Sequence, residues 1–262
     1  MDSLIETLKN LELECGDIML KANYDDLGVE SKDGIANIVT RYDKIIQEKI
    51  ASTIKSIVPS ASIIGEEEDL NGGINEHGLT FIIDPIDGTN NFSRHLNFSS
   101  ISIGVLKDGK QYLGVAYNPY MKEMLYAQKG MGAYLNGRQI KCTNKSLRDG
   151  MVILGVSSYY QNIRDKVFPF ESELEKYTGT FRNLGSAVLE ISYIGLGRAE
   201  AYVDLLLQPW DYCASSLIAS ESGCIVKDLN GNDIRFDRAS SIVVANNEDN
   251  LNLILEKAKK FL

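Results

Sequence analysis

The sequence predicts an α/β (α+β) protein built as a layered αβαβα sandwich, with a mostly antiparallel sheet in its first half and a layered α/β second half. Three observations carry this. Apolar residues recur at helical spacing near the N-terminus, short β-rich segments crowd residues 61–128, and from Gly150 onward strand-type and helix-type segments alternate.

Leu4, Leu8, Leu11, Cys15, Ile18 and Met19 fall on one face of a first helix. Ile46, Ile50, Ile54 and Ile57 mark a second, which ends before Pro59. Between them, Leu27 to Asn37 carries Gly28, Lys32, Asp33 and Gly34 without periodicity and reads as a mobile loop. Residues 61–64, 79–83, 99–106, 112–117 and 123–128 read as strands, with Lys107-Asp108-Gly109-Lys110 as a hairpin turn. The second half reads as strand 151–156, a helix near 164–177, a short strand to Arg182, helix 186–195, strand 200–206, helix 211–222 and strand 224–228. A turn at 228–231, a last strand 241–245 and a last helix 247–262 complete it. No internal repeat or linker breaks the chain. Residues 1–149 and 150–262 are therefore expected to be two halves of one unit, 1–262, with a cleft between them.

The chain has 36 acidic against 27 basic side chains, a net charge of −9, and no basic patch denser than Lys257, Lys259 and Lys260 on the terminal helix. That balance argues against a nucleic-acid or anionic-membrane partner. An anionic small-molecule substrate would need a metal ion rather than side-chain charge to neutralise it. Cys15, Cys142, Cys213 and Cys224 show no CxxC spacing, and Met1 opens directly into an acidic amphipathic segment, so a reducing cytoplasm is expected. No apolar run approaches the roughly 18 residues that span a bilayer.

Three acidic patches fall at element ends. Glu66 and Glu67 follow the strand at 61–64, and Asp84 and Asp87 close the apolar run Phe81-Ile82-Ile83. Asp211 stands in Pro209-Trp210-Asp211. Hard divalent cations need several converging oxygen ligands, which apolar strands running into carboxylates supply. In Asp84-Pro85-Ile86-Asp87-Gly88-Thr89-Asn90-Asn91-Phe92, Pro85 forces a turn that lets both aspartates point one way while Ile86 presents its carbonyl. Gly88 permits close approach, and the amides of Gly88 and Thr89 open a helical turn suited to an anion. Each piece alone has a plainer reading: Asp211 as a helix N-cap, Thr40-x-x-Asp43 as a capping box, Thr89 as a cap.

Taken jointly, Gly65-Glu66-Glu67, the Asp84–Phe92 motif and Trp210-Asp211 resemble the inositol monophosphatase family, a sugar-phosphatase-like fold. The resemblance covers essentially the whole chain, including Asn37–Asp43 and Arg182-Asn183-Leu184-Gly185-Ser186-Ala187. It implies that Glu66, Asp84, Asp87, Asp211 and the carbonyl of Ile86 bind two or three Mg2+ ions. It implies that Thr89, polarised by Asp43, and Glu66 help a metal-activated water attack phosphorus, with Gly88 and Thr89 on the phosphate. Gly185, Ser186, Ala187 and Asp204 would hold the alcohol, and Arg182 would suit a second phosphate. The implied protein is a lithium-sensitive, cytoplasmic homodimer acting on an inositol phosphate, on fructose 1,6-bisphosphate, or on both. A catalytically silent binding protein on the same fold is the remote alternative.

Overall fold

The computed structural model describes residues 2–32, 37–67, 72–156 and 161–261 of the chain. Helix α1 (Ser3–Leu20) starts where Asp2 accepts the Leu4 N–H, and it buries Ile5, Leu8, Leu11, Cys15 and Met19. A short antiparallel ribbon follows, β1 (Glu30–Ser31) with β2 (Ile38–Val39). The segment expected to be loop throughout thus contains a strand pairing. The expected mobility falls partly on residues 33–36, among them Asp33 and Gly34, which lie outside the described residues. Helix α2 (Arg41–Ile57) is closed at its start by the Thr40–Asp43 capping box.

Seven strands make the first sheet: β3 (Ser62–Gly65), β4 (Leu79–Asp87), β5 (Ser100–Lys107), β6 (Lys110–Asn118), β7 (Glu123–Gln128), β8 (Ala133–Leu135) and β9 (Arg138–Ile140). They lie side by side in chain order, and only β3 and β4 pair in parallel. A short helix, α3 (Thr89–Ser93), separates β4 from β5. The hairpin turn at Asp108-Gly109 takes positive φ at both residues (51° and 72°), which joins β5 to β6 with the right twist. The β8–β9 hairpin was not expected, although its Asn136-Gly137 turn (φ 48° and 83°) is a strong hairpin signal. Strands of three residues are too short for alternation to register.

The second half adds β10 (Met151–Leu154), α4 (Gln161–Leu174), β11 (Thr180–Arg182), α5 (Ala187–Gly195), β12 (Ala201–Leu207), α6 (Pro209–Glu221), β13 (Ile225–Lys227), β14 (Ser240–Ala245) and α7 (Glu248–Ala258). Their five strands run in the order β11-β10-β12-β14-β13. Strand β10 is parallel to both neighbours, whereas β14 is antiparallel to both of its own. Helix α4 ends at Leu174 rather than Tyr177, and α7 starts after an Asn247 cap and ends at Ala258 rather than Leu262.

Among the described residues, the three largest apolar clusters define the layers. One joins α1 and α2 to the first sheet, a second fills the space between the sheets around α5 and α6, and a third packs α4 and α7 on the outer face of the second sheet. The result is the expected αβαβα sandwich. Helix α6 lies almost wholly buried between the sheets. Gly104 makes room for it: a Cβ there would stand 2.4 Å from Cys213 Sγ. Among the described residues, no helix is long and apolar enough to cross a membrane.

Candidate metal centre

Strand β4 is apolar and buried through Ile83, then ends in Asp84 and Asp87. Residues three apart on a regular strand face opposite sides. Here Asp84 pairs with Ser102 and Asp87 with Ser100, so three steps on β4 answer two on β5. This bulge brings both carboxylates to the same side. Asp211 arrives from the first turn of α6, where its Oδ2 accepts the Gln208 N–H at 2.7 Å. It is a capping-box residue rather than the N-cap itself, which is Gln208. One oxygen each of Asp84, Asp87 and Asp211 falls within 4.8 Å of the others.

The charge balance of this cluster is one-sided. Burial, compounded by neighbouring acids, raises Asp84 and Asp211 well above the ordinary carboxylate range. Burial also brings Asp87 to about 7, although the Ser186 hydroxyl and the amides of Ala187 (3.1 Å) and Val188 (3.0 Å) donate to it. Among the described residues, Asp84 Oδ1 is buried without a hydrogen-bond partner. Oxygen-only donors, an orphaned buried oxygen and carboxyls short of compensating charge together suit a hard divalent cation such as Mg2+.

Glu66 comes next to this group from the end of β3, its N–H donating to the Ile83 carbonyl at 3.2 Å. Its Oε1 is held at 3.0 Å by Lys32 Nζ, which also donates to Glu67 Oε1 at 2.7 Å. Burial alone would lower the Lys32 ammonium, but Glu66 and Glu67 outweigh it and hold the group above its ordinary value. In the sequence Lys32 belongs to an aperiodic segment, and nothing in its spacing marks its carboxylate partners.

Thr89 Oγ1 stands 3.2 Å from Asp43 Oδ1 and 3.0 Å from the Ile86 carbonyl. Asp43 Oδ2 meanwhile accepts from the N–H (2.7 Å) and hydroxyl (2.5 Å) of Thr40. One carboxylate oxygen of Asp43 thus closes the capping box while the other accepts from Thr89. Gly88, at φ 84°, must be glycine, since a Cβ there would come within 2.8 Å of the Gly185 carbonyl.

A cleft of about 260 Å³ opens between the halves, lined among others by Asp84, Thr89, Gly185, Ala187, Asp204 and Asp211. Asp204 sits on β12, taking the Leu206 N–H at 2.9 Å and the Tyr202 hydroxyl at 3.3 Å. Two of the residues expected at the substrate make contacts within the protein. Ser186 is buried and its hydroxyl donates to Asp87, a candidate ligand. Arg182 is exposed and absent from the lining; its guanidinium donates to Phe181 O (2.6 Å) and Thr180 Oγ1 (3.0 Å).

Fold and site together place the protein among the layered α/β phosphatases. The chain belongs to the inositol monophosphatase family, a family of phosphoric monoester hydrolases, whose sequence profile matches residues 1–261. Among its relatives is the fructose-1,6-bisphosphatase/inositol-1-monophosphatase of Thermotoga maritima, 38% identical over 207 residues, 78% of this chain and 77% of that one. The Nus factor SuhB of Escherichia coli K12 is 32% identical over 229 residues, covering 83% and 82%. A solved IMPase of Thermotoga maritima matches across 100% of both chains with a TM-score of 0.88 at 30% identity.

Proposed function

We propose that this chain is a Mg2+-dependent phosphatase that hydrolyses an inositol monophosphate, with Asp84, Asp87, Asp211, Glu66 and the Ile86 carbonyl holding two or three ions. The observation that carries the reading is the convergence of three carboxylates, one with an orphaned oxygen, beside a threonine hydroxyl paired to a buried acid. When bound, Mg2+ supplies positive charge against the ester dianion and lowers the pKa of the attacking water. The chain's own residues orient the reactants. Thr89 Oγ1, its proton directed to Asp43 Oδ1, offers a lone pair to one hydrogen of a water and aims that water at phosphorus. Burial brings Asp43 to about 7, which equips it to accept a proton near neutral pH. The amides of Gly88 and Thr89 take phosphate oxygens, and Asp204 with the Gly185 turn takes hydroxyls of the alcohol.

Fructose 1,6-bisphosphate is the alternative substrate, and the Thermotoga relative's name carries both activities. The engagement of Arg182 with its own strand supports the inositol monophosphate, because that guanidinium is then not offered to a distal phosphate. Phosphate release from inositol 1-phosphate, fructose 1,6-bisphosphate and 3′-phosphoadenosine 5′-phosphate at millimolar Mg2+ tests this. The first should lead in kcat/KM by about tenfold or more; a lead for the bisphosphate would replace the reading, and no release from any ester would end it. Thr89→Val, isosteric but without the hydroxyl, should lower kcat on the order of 100-fold with the fold intact.

A further inference from the structure

The cleft holds one more acid. Glu190 lies in the first turn of α5, is 2% exposed, and lines the same cavity as Asp87 and Asp204. Its Oε1 accepts two backbone N–H groups, Leu184 at 2.5 Å and Gly185 at 3.1 Å. From the opposite edge Asn91 Nδ2 donates to the carbonyls of Leu184 (2.7 Å) and Gly185 (3.3 Å), and to that of Phe98 (2.8 Å). The Leu184-Gly185 turn is thereby gripped on both sides, its donors by an acid and its acceptors by an amide.

That turn controls two things at once. Gly185, at φ 81°, forms a wall of the cleft and packs against the Cβ-less face of Gly88. Directly after it, the Ser186 hydroxyl and the Ala187 and Val188 amides all converge on Asp87. We infer that Glu190 is a positioning residue, which sets through the Leu184-Gly185 turn both the alcohol-facing wall of the cleft and the carboxylate of Asp87. The inference rests on the phosphatase reading above and extends it to a residue that touches neither metal nor ester. All that is required of Glu190 is an acceptor oxygen. Burial, with Asp87 and Asp204 nearby, pushes it to about 8 against the pull of the two amides, so a neutral carbonyl oxygen serves the turn well. Glutamine presents the same atom; alanine takes the acceptor away from two part-buried N–H groups.

Glu190→Ala and Glu190→Gln, each compared with the unsubstituted protein, test this. The alanine variant should keep its fold by circular dichroism, raise KM for inositol 1-phosphate about tenfold or more, and raise the half-saturating Mg2+ concentration several-fold. Its kcat at saturation with both should stay within about threefold. Calorimetric titration with Mg2+ alone should show the same several-fold weakening without any turnover. The glutamine variant should recover all of these to within about threefold. A fall in kcat with KM and Mg2+ binding unchanged would mark a merely structural residue and overturn the inference, as would a glutamine variant as damaged as alanine. If the unsubstituted protein binds Mg2+ yet releases no phosphate, the phosphatase reading falls while the calorimetric comparison still decides Glu190.

Discussion

Single side chains in the cleft differ in what an amide replacement does to them. Asp211 uses one oxygen as acceptor for the Gln208 N–H, so Asp211→Asn can keep that bond while removing a charge from a crowded site. In chelator at neutral pH this variant should melt a few degrees higher, because relief of repulsion adds to the empty protein, while turnover falls by roughly 100-fold or more. Asp87→Asn should do the opposite to stability. Donors converge on both of its oxygens, the Ser186 hydroxyl and Val188 amide on one and the Ala187 amide on the other, and an amide –NH2 must confront one of them. Parallel melts of the two variants check the contrast; equal shifts in the same direction would refute this account of their hydrogen bonding.

On α1, Glu12 is an acid on an apolar face. Among the described residues neither carboxyl oxygen has a hydrogen-bond partner of normal geometry, and burial holds the group far above its ordinary value. Holding a carboxyl in its neutral form against an unfolded chain that ionises near its ordinary value costs stability as pH rises. A raised carboxyl contributes fully below its unfolded pKa and loses its contribution as pH rises towards the folded one. Glu12→Gln should therefore melt measurably higher at pH 8 and no higher at pH 4.5. At the β5–α6 contact the constraint is spatial. Gly104→Ala puts a methyl 2.4 Å from Cys213 Sγ, 2.7 Å from Cys213 Cβ and 3.0 Å from the Ala214 amide nitrogen. Forcing the helix away should cost about 1–3 kcal/mol, read as a lower melting midpoint. An unchanged midpoint would mean that α6 is less tightly seated than its burial indicates.

For the molecule as a whole, the acids in and behind the cleft act together. Asp43 and Asp87 are raised to about 7 and Glu190 to about 8, and Asp84 and Asp211 are raised well above their ordinary range, in each case chiefly by burial. Between the ordinary carboxylate range and about pH 8 the folded protein thus binds more protons than the unfolded chain. Its metal-free stability is fullest at the acid end of that window and is lost as pH rises through about 7 to 8. Mg2+ takes the ionised acids, so its stabilisation grows in the other direction. In chelator the melting midpoint should fall from pH 5 to pH 8, and millimolar Mg2+ should flatten or reverse the slope. A midpoint that rises with pH in chelator would show that these carboxyls are compensated by groups other than a cation.

The sequence by itself determined the layers and the candidate ligands. Helical periodicity in α1 and α2, β-rich runs through β4 to β7, and alternation after Gly150 are local patterns, because a side chain's face follows from the period of its own element. Asp84, Asp87 and Asp211 were legible for the same reason: apolar strands and helices that end in acids announce themselves within a few residues. Only the tertiary structure decided which groups meet across the chain. Asp43 and Thr89 are 46 residues apart, yet their side chains meet at 3.2 Å. Lys32 reaches Glu66 and Glu67 across more than 30 residues. Ser186, which could equally have faced a ligand, is turned onto Asp87, and Arg182, a basic residue beside the Leu184-Gly185 turn, bends back to its own strand. Such orientations follow from packing and from satisfying buried donors, which depend on neighbours that no local window of the sequence contains.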